Sequence, residues 1–442
     1  MQIRLSSVPI HSLVARLVPS FGSARLLEFS PPVRRAVRID ISVMLLFTLF
    51  AGLTTPFTGL ILRKELGATP FQLSVLASAS AACLLLSLWL TRVVDSGRPL
   101  PYVVWPSFLA RGLFLLVPFI ATPWPFVGVL VAGTLLGTVS GPAHAVMVER
   151  VYPREERGRA LGTVRLAGAV VAIGLALGAG HLFGWVGFRW VFAAAGLVGM
   201  AASLRQRRMP VPDAREASRP RPRLAEAWRI VRADPAYQRI LCGSFLFGSG
   251  VWLMMPANPI LLADVMRATP MHVGVLTAVA AATALVANVM WGYLADRHSS
   301  VRALRVVYVI GTLTPLIYCG ASLIATTPWL LLGSTVAESL MHTGLDLIWM
   351  LTMIELGGKD RTTQYAAIGA TMAGVRGVLG PLASALMLET LGLQAVYLTA
   401  AGLMACGAWV VSRHAQKTPR YIAQPAHTSG GVGPLRAARN AS

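Results

Sequence analysis

Apolar stretches of about 20 residues, the length that crosses about 30 Å of hydrocarbon, recur along the whole 442-residue chain with short polar breaks between them. We place spans at 40–62, 70–91, 101–121, 124–148, 160–182, 187–204, 238–261, 271–292, 303–325, 328–354, 364–388 and 392–412. Only 13% of residues are charged, against about 25% in soluble domains. That density cannot cover a folded surface in water. The expected class is an all-α membrane protein with about twelve transmembrane helices.

The formal net charge is +21, and its distribution carries the meaning. With the N-terminus inside, 32 of the 39 Lys and Arg residues fall in inner segments or at the inner ends of spans, 4 in outer segments or at the outer ends, and 3 (Arg111, Arg165 and Arg376) deeper within spans. Basic residues gather on the cytoplasmic side of membrane proteins, so both termini are expected in the cytoplasm. The charge reads as a topology signal and as a contact for anionic lipid, not for nucleic acid. Cys83, Cys242, Cys319 and Cys406 lie in separate spans without a CxxC pair, so no disulfide framework or zinc site is indicated. Residues 1–38 lack a continuous apolar core with a small-residue cleavage site and read as a weakly amphipathic cytoplasmic extension. The preference for Arg over Lys, with much Ala and Gly, points to a GC-rich bacterial genome and hence to a bacterial inner membrane.

The Arg- and Pro-rich segment 205–237 divides the chain, with six spans on either side. The expected organisation is an N-terminal extension (1–38), a six-helix bundle (39–204), a basic cytoplasmic linker (205–237), a second six-helix bundle (238–412) and a disordered tail (413–442). The halves echo one another. Ala68, Thr69, Pro70, Val75 and Leu76 recur 200 residues later as Ala268, Thr269, Pro270, Val275 and Leu276, and Pro56 recurs as Pro256. Thr122-Pro123-Trp124 recurs 205 residues later as Thr327-Pro328-Trp329, and the segment from Gly187 echoes that from Gly392. Echoes in one order point to a 6+6 duplication of the kind found in transporters.

Gly292-Tyr293-Leu294-Ala295-Asp296-Arg297 follows the second span of the second half. The first half keeps Asp95 at the matching loop but has Thr91 in place of the first Gly. On these residues, and on the Pro153–Arg159 segment after the fourth span, nearly all of 40–412 resembles the major facilitator superfamily. The fifth span carries Gly174, Gly178 and Gly180 without the Gly-Pro of the antiporter signature. The resemblance implies two pseudo-symmetric six-helix halves around a central cavity lined by spans one, four, seven and ten. It also implies a loop latch at the inner side: Asp95 facing Arg361, Thr362 and Thr363, and Asp296 with Arg297 and Gly292 facing Arg157 and Arg159. An Asp at that place can accept from the N-terminal N–H groups of another helix. The alternative is a plain topological anchor.

The tenth span contains Glu338, His342 and Asp346. The i, i+4, i+8 spacing puts them on one stripe about 12 Å long. A charge at bilayer depth costs at least about 3 kcal/mol, so this stripe must face protein or water. In the first half the same positions are Gly133, Gly137 and Gly141, a stripe suited to close helix packing or to open volume. Three readings of the acidic stripe stand open: proton coupling or substrate binding, with His342 as relay; metal binding; or a buried polar cluster joining two helices. Arg376, mid-way along the eleventh span, is level with Glu338 and His342, and an ion pair is the expected way to tolerate it. Arg111 in the third span either neutralises an anionic substrate or bonds to backbone. Arg165 and His144 are expected to reach the interface. Trp252, Met255 and Asn258 make an aromatic, Met-rich wall on the seventh span. Pro256 and Pro259 there, and Pro56 in the first span, are expected to interrupt helical bonding.

No Walker loop, HExxH or nucleophile elbow is present, so no enzyme is indicated. The expected function is a proton-coupled secondary transporter of a small solute, exporting more readily than importing, with no cofactor beyond the proton and acting as a monomer. The alternatives are a facilitative uniporter with a structural polar stripe, and a lipid-handling or receptor-like protein without solute flux.

Overall fold

A computed structural model describes residues 29–90, 98–212, 229, 231–324 and 327–415. The expected tail beyond 415, most of the linker and the N-terminal extension up to residue 28 lie outside the described residues, as does Asp95.

The helices, in chain order, are α1 (Pro31–Lys64), α2 (Pro70–Leu90), α3 (Pro99–Gly112, continued as a 3-10 turn over Leu113–Phe119), α4 (Pro123–Val151), α5 (Arg154–Val186) and α6 (Phe188–Gln206). After the linker come α7 (Pro235–Met254, with Ala257–Ile260 and a π-turn at Leu261–Val265), α8 (Pro270–Arg297) and α9 (Ser300–Ile324). The run Leu332–Thr390 breaks direction at Gly358 (φ 57°, ψ −154°) into α10 and α11, and α12 spans Leu393–Ala415. Nine helices among the described residues are long and apolar enough to cross a membrane. With α2, α6 and α10 they make twelve. Several helices outrun the expected spans: α1 reaches back to Pro31 and α5 to Arg154.

Backbone detail bears out the duplication. Gly67 (φ 69°) and Arg267 (φ 48°), 200 residues apart, both turn left-handed. After them Ala68 N donates to Leu62 O (3.0 Å) and Ala268 N to Leu262 O (2.8 Å). The same turn closes α1 and α7, although the second half must place an arginine where glycine is at ease. Gly187 (φ 78°) and Gly392 (φ 85°), 205 apart, open the last helix of each half.

The prolines behave unequally. In α7 the pair Pro256 and Pro259 ends the regular helix at Met254 and leaves a π-turn beyond. The expected break at Pro56 does not occur, and α1 runs through it. One proline removes one hydrogen bond, whereas two within a turn remove adjacent ones.

The two ends of the bundle differ. At the short-loop end, where α1 turns into α2, the halves are stitched together. Arg63 donates from Nε (3.1 and 2.9 Å) and Nη2 (2.5 Å) to the Asp264 carboxylate, and Lys64 Nζ to Ala268 O (2.8 Å). A Cβ on Gly59 would fall 2.7 Å from Pro259, and Gly274 sits against Ala176 O. The apolar cluster around Phe57, Phe183 and Phe192 takes in Ile260, Ala263, Ala268 and Val273 of the second half. At the opposite, basic end the Asp296 half of the expected latch is not made among the described residues, while the Asp95 half lies outside them. Among the described residues Asp296 forms no hydrogen bond or ion pair. Arg157 donates to Tyr152 O (3.1 Å) and Glu149 O (2.9 Å), and Arg297 lies 4.1 Å over the Tyr293 ring. Gly292 has open space around it.

Candidate functional site

Glu338, His342 and Asp346 project from α10 into one cavity of about 510 Å³ in the second half, walled by α7, α9, α10 and α11. Arg376, Trp252, Met255 and Asn258 line the same cavity. The α10 stripe is therefore not turned to lipid. Exposure rises along it toward the basic end: the Glu338 side chain is 29% exposed, that of His342 52%, and Asp346 is open.

Each polar group has a definite setting. Tyr318 of α9 donates to Glu338 Oε2 at 2.6 Å, and His342 Nε2 lies 3.7 Å from Glu338 Oε1. Asp346 accepts no hydrogen bond among the described residues. Tyr397 of α12 stacks on Tyr318 (5.5 Å between centroids) and donates to Asn258 Oδ1 (3.1 Å). This tyrosine pair ties the acid on α10 to the broken part of α7.

Arg376 does not form the expected ion pair. Trp349 of α10 packs on Gly369 of α11, and the helices are antiparallel, so Arg376 is level with His342 as read. Its side chain, however, turns to α7. The guanidinium fills the space beside Gly248, Nη1 donates to Ser244 O, and Nε is buried without a partner. Ser244 Oγ and the Tyr308 hydroxyl bond each other at 2.7 Å beside it. Level was legible from residue spacing, whereas rotation about the helix axis was not.

Arg111 lines a second cavity, about 380 Å³, in the first half. Its Nη1 donates to Gly199 O (2.9 Å) and Ser203 Oγ (2.6 Å), the backbone alternative of the two expected. Phe47 and Phe50 lie 5.1 and 5.7 Å from its guanidinium. Gly133 and Gly137 line this cavity, and Gly137 and Gly141 have nothing within 4 Å of where a Cβ would stand. The glycine stripe leaves volume open. No group of three or more His, Cys, Asp or Glu residues able to hold a metal occurs among the described residues.

Some residues were not singled out by sequence. Tyr318, Tyr397 and Tyr308 lie in apolar spans and look like packing aromatics. Arg63 and Asp264 appear in the sequence as outer-loop charges only. Asp40, nearly three turns into α1, is 6% exposed and accepts from the Tyr152 hydroxyl at 2.9 Å. A span drawn from residue 40 makes that acid a boundary residue.

Twelve helices in two like halves around polar cavities, sealed at one end, define a membrane transporter fold. The family model described as Major Facilitator Superfamily matches residues 41–248 and 240–440, and the chain belongs to that family. Solved structures agree in fold. The nucleoside transporter NupG aligns with a TM-score of 0.68 at 12% identity, over 87% of this chain and 99% of that one. A bacterial homologue of the iron transporter ferroportin, in an inward-facing state, aligns at 0.64 and 14%, over 86% and 99%. A bacterial homologue of the human lysosomal transporter Spinster, inward-facing and unoccupied, aligns at 0.60 and 13%, over 88% and 96%. No curated protein sequence matches significantly.

Proposed function

We propose that this protein is a proton-coupled secondary transporter that moves a small solute across the bacterial inner membrane by alternating access, with export as its direction. The supporting observation is the α10 stripe. Two carboxyls and an imidazole lie in a well and grow more exposed toward the basic end, while Arg63 and Asp264 join the two halves at the opposite end. Intramembrane ionisable groups open to a cavity are the usual carriers of protons in such proteins. By the positive-inside rule the basic end is cytoplasmic, which supports an inward-open reading with both termini in the cytoplasm; action as a monomer is part of the same proposal.

The test uses purified protein in liposomes with an imposed pH gradient and a trapped pH dye. Wild type, Glu338→Gln and Asp346→Asn are challenged with a panel of amphipathic compounds. Compound-dependent proton flux that disappears in one variant supports coupling. Compound movement without proton flux, unchanged in both, supports a second reading: a facilitative uniporter in which the stripe is structural. The Tyr318–Glu338 hydrogen bond and its stack on Tyr397 favour that alternative.

A further inference from the structure

We propose that the α7–α10–α11 well takes an amphipathic organic cation, with its positive group on Asp346 and its apolar body against Trp252, Trp349 and Phe245. This deepens the transport reading and rests on it for its physiological meaning.

The argument starts from which charges face the well. The two arginines that line the cavities, Arg376 and Arg111, each spend hydrogen bonds on a neighbouring helix. Arg376 is wedged at Gly248 with Nη1 on Ser244 O, and Arg111 is committed to Gly199 O and Ser203 Oγ. Glu338 is engaged by Tyr318 and lies near His342, whereas Asp346 is open and without a hydrogen-bond donor. The well thus offers one uncommitted anion. The titratable groups around it are His342 and Glu338 on the same helix, Arg376 on α11, and Tyr308 on α9, which is bonded to Ser244.

The remainder of the lining sets what accompanies the charge. Trp349 stands three residues from Asp346 on the same helical face. Trp252 packs beside Gly377 and Gly380 of α11, and Phe245 and Met255 complete the wall. Aromatic faces attract organic cations through the ring quadrupole. A bare metal ion needs several converging oxygen, nitrogen or sulfur ligands, and no such group is present among the described residues. A cation on Asp346 excludes a proton from the same oxygens, so binding of one must oppose binding of the other, reciprocally.

The test is binding to the full-length detergent-solubilised protein. The probes are benzyltrimethylammonium and tetraphenylphosphonium, set against the neutral analogues neopentylbenzene and triphenylphosphine oxide, with Mn²⁺ as a separate probe. The expected result has four parts. At least one organic cation binds better than its neutral analogue. Its affinity falls as pH is lowered. It weakens at least about tenfold in Asp346→Asn, the order expected from losing a desolvated charge contact. Asp346→Glu restores most of it, while both variants keep the wild-type melting temperature. Cations binding no better than their analogues, affinity unchanged in Asp346→Asn, or Asp346-dependent binding of Mn²⁺ alone each overturn the proposal. The outcome separates from that of the transport reading. Binding through Asp346 without movement in liposomes sinks transport and leaves the site. Proton flux driven only by neutral or anionic compounds does the reverse.

Discussion

Arg63 at the end of α1 grips both carboxylate oxygens of Asp264 in α7, joining residues 201 positions apart across the two halves of the protein. The duplication sharpens the point. At the offset of 200, Lys64 corresponds to Asp264 itself, so equivalent positions carry opposite charges. A pseudo-symmetric pair of like charges would repel; this one closes.

Arg63 and Asp264 are 27% and 40% exposed, so the pair is worth at most about 1 kcal/mol. That is enough to shift a conformational equilibrium several-fold. Arg63→Ala and Asp264→Ala should each increase labelling of a cysteine placed at Thr58, beneath the closed end, by a membrane-impermeant reagent. The charge swap Arg63→Asp with Asp264→Arg should return it toward wild type. Equal labelling in all variants would remove the pair from the closure.

Gly274 lies directly against Ala176 O, and Gly180 against the Met271 backbone, so α5 and α8 touch through glycines at the sealed end. Gly274→Ala forces backbone atoms apart, at a cost of about 1–3 kcal/mol. It should lower the apparent Tm and open the short-loop end in the same labelling assay. Gly178→Ala, with nothing within 4 Å of its Cβ, should do neither.

Glu338→Gln keeps an oxygen for the Tyr318 hydroxyl and removes the charge. It should retain near-wild-type Tm and lose compound-dependent proton flux. Tyr318→Phe leaves Glu338 without that donor, at about 1–3 kcal/mol, and should lower Tm while retaining the ring stack on Tyr397. A variant pair with the reverse pattern, flux kept in Glu338→Gln, would make the acid structural.

Asp234 caps α7 outside the membrane span. Burial acts to raise its pKa. The Tyr365 hydroxyl (2.6 Å), the Tyr237 and Ala236 N–H groups (3.0 and 2.9 Å) and the Arg361 charge outweigh it and hold the carboxyl below its ordinary value. A lowered carboxyl pKa stabilises the fold above the ordinary carboxylate range, and this contribution fades as pH falls through the lowered value. Melting in detergent from pH 7 downward should therefore show a steeper acid loss for wild type than for Asp234→Asn. Parallel curves would remove Asp234 from the acid response.

Much of this molecule was legible without coordinates. Span length follows from the thickness of hydrocarbon, and the two halves follow from echoes such as Ala68-Thr69-Pro70 with Ala268-Thr269-Pro270 and Gly187 with Gly392, whose turns prove to share backbone geometry. The stripe Glu338–His342–Asp346 was legible because helical spacing alone puts the three on one face, and a face so polar cannot meet lipid. Tertiary structure decided the rest. Arg376 was correctly level with His342, yet it turns to Ser244 instead of an acid, because residue number sets depth along a helix and not its rotation against neighbours. The unmade latch at Asp296 and the sealed end at Arg63 likewise depend on how two rigid halves are tilted. Both tilts satisfy the same hydrophobic pattern, so periodicity and charge count cannot choose between them.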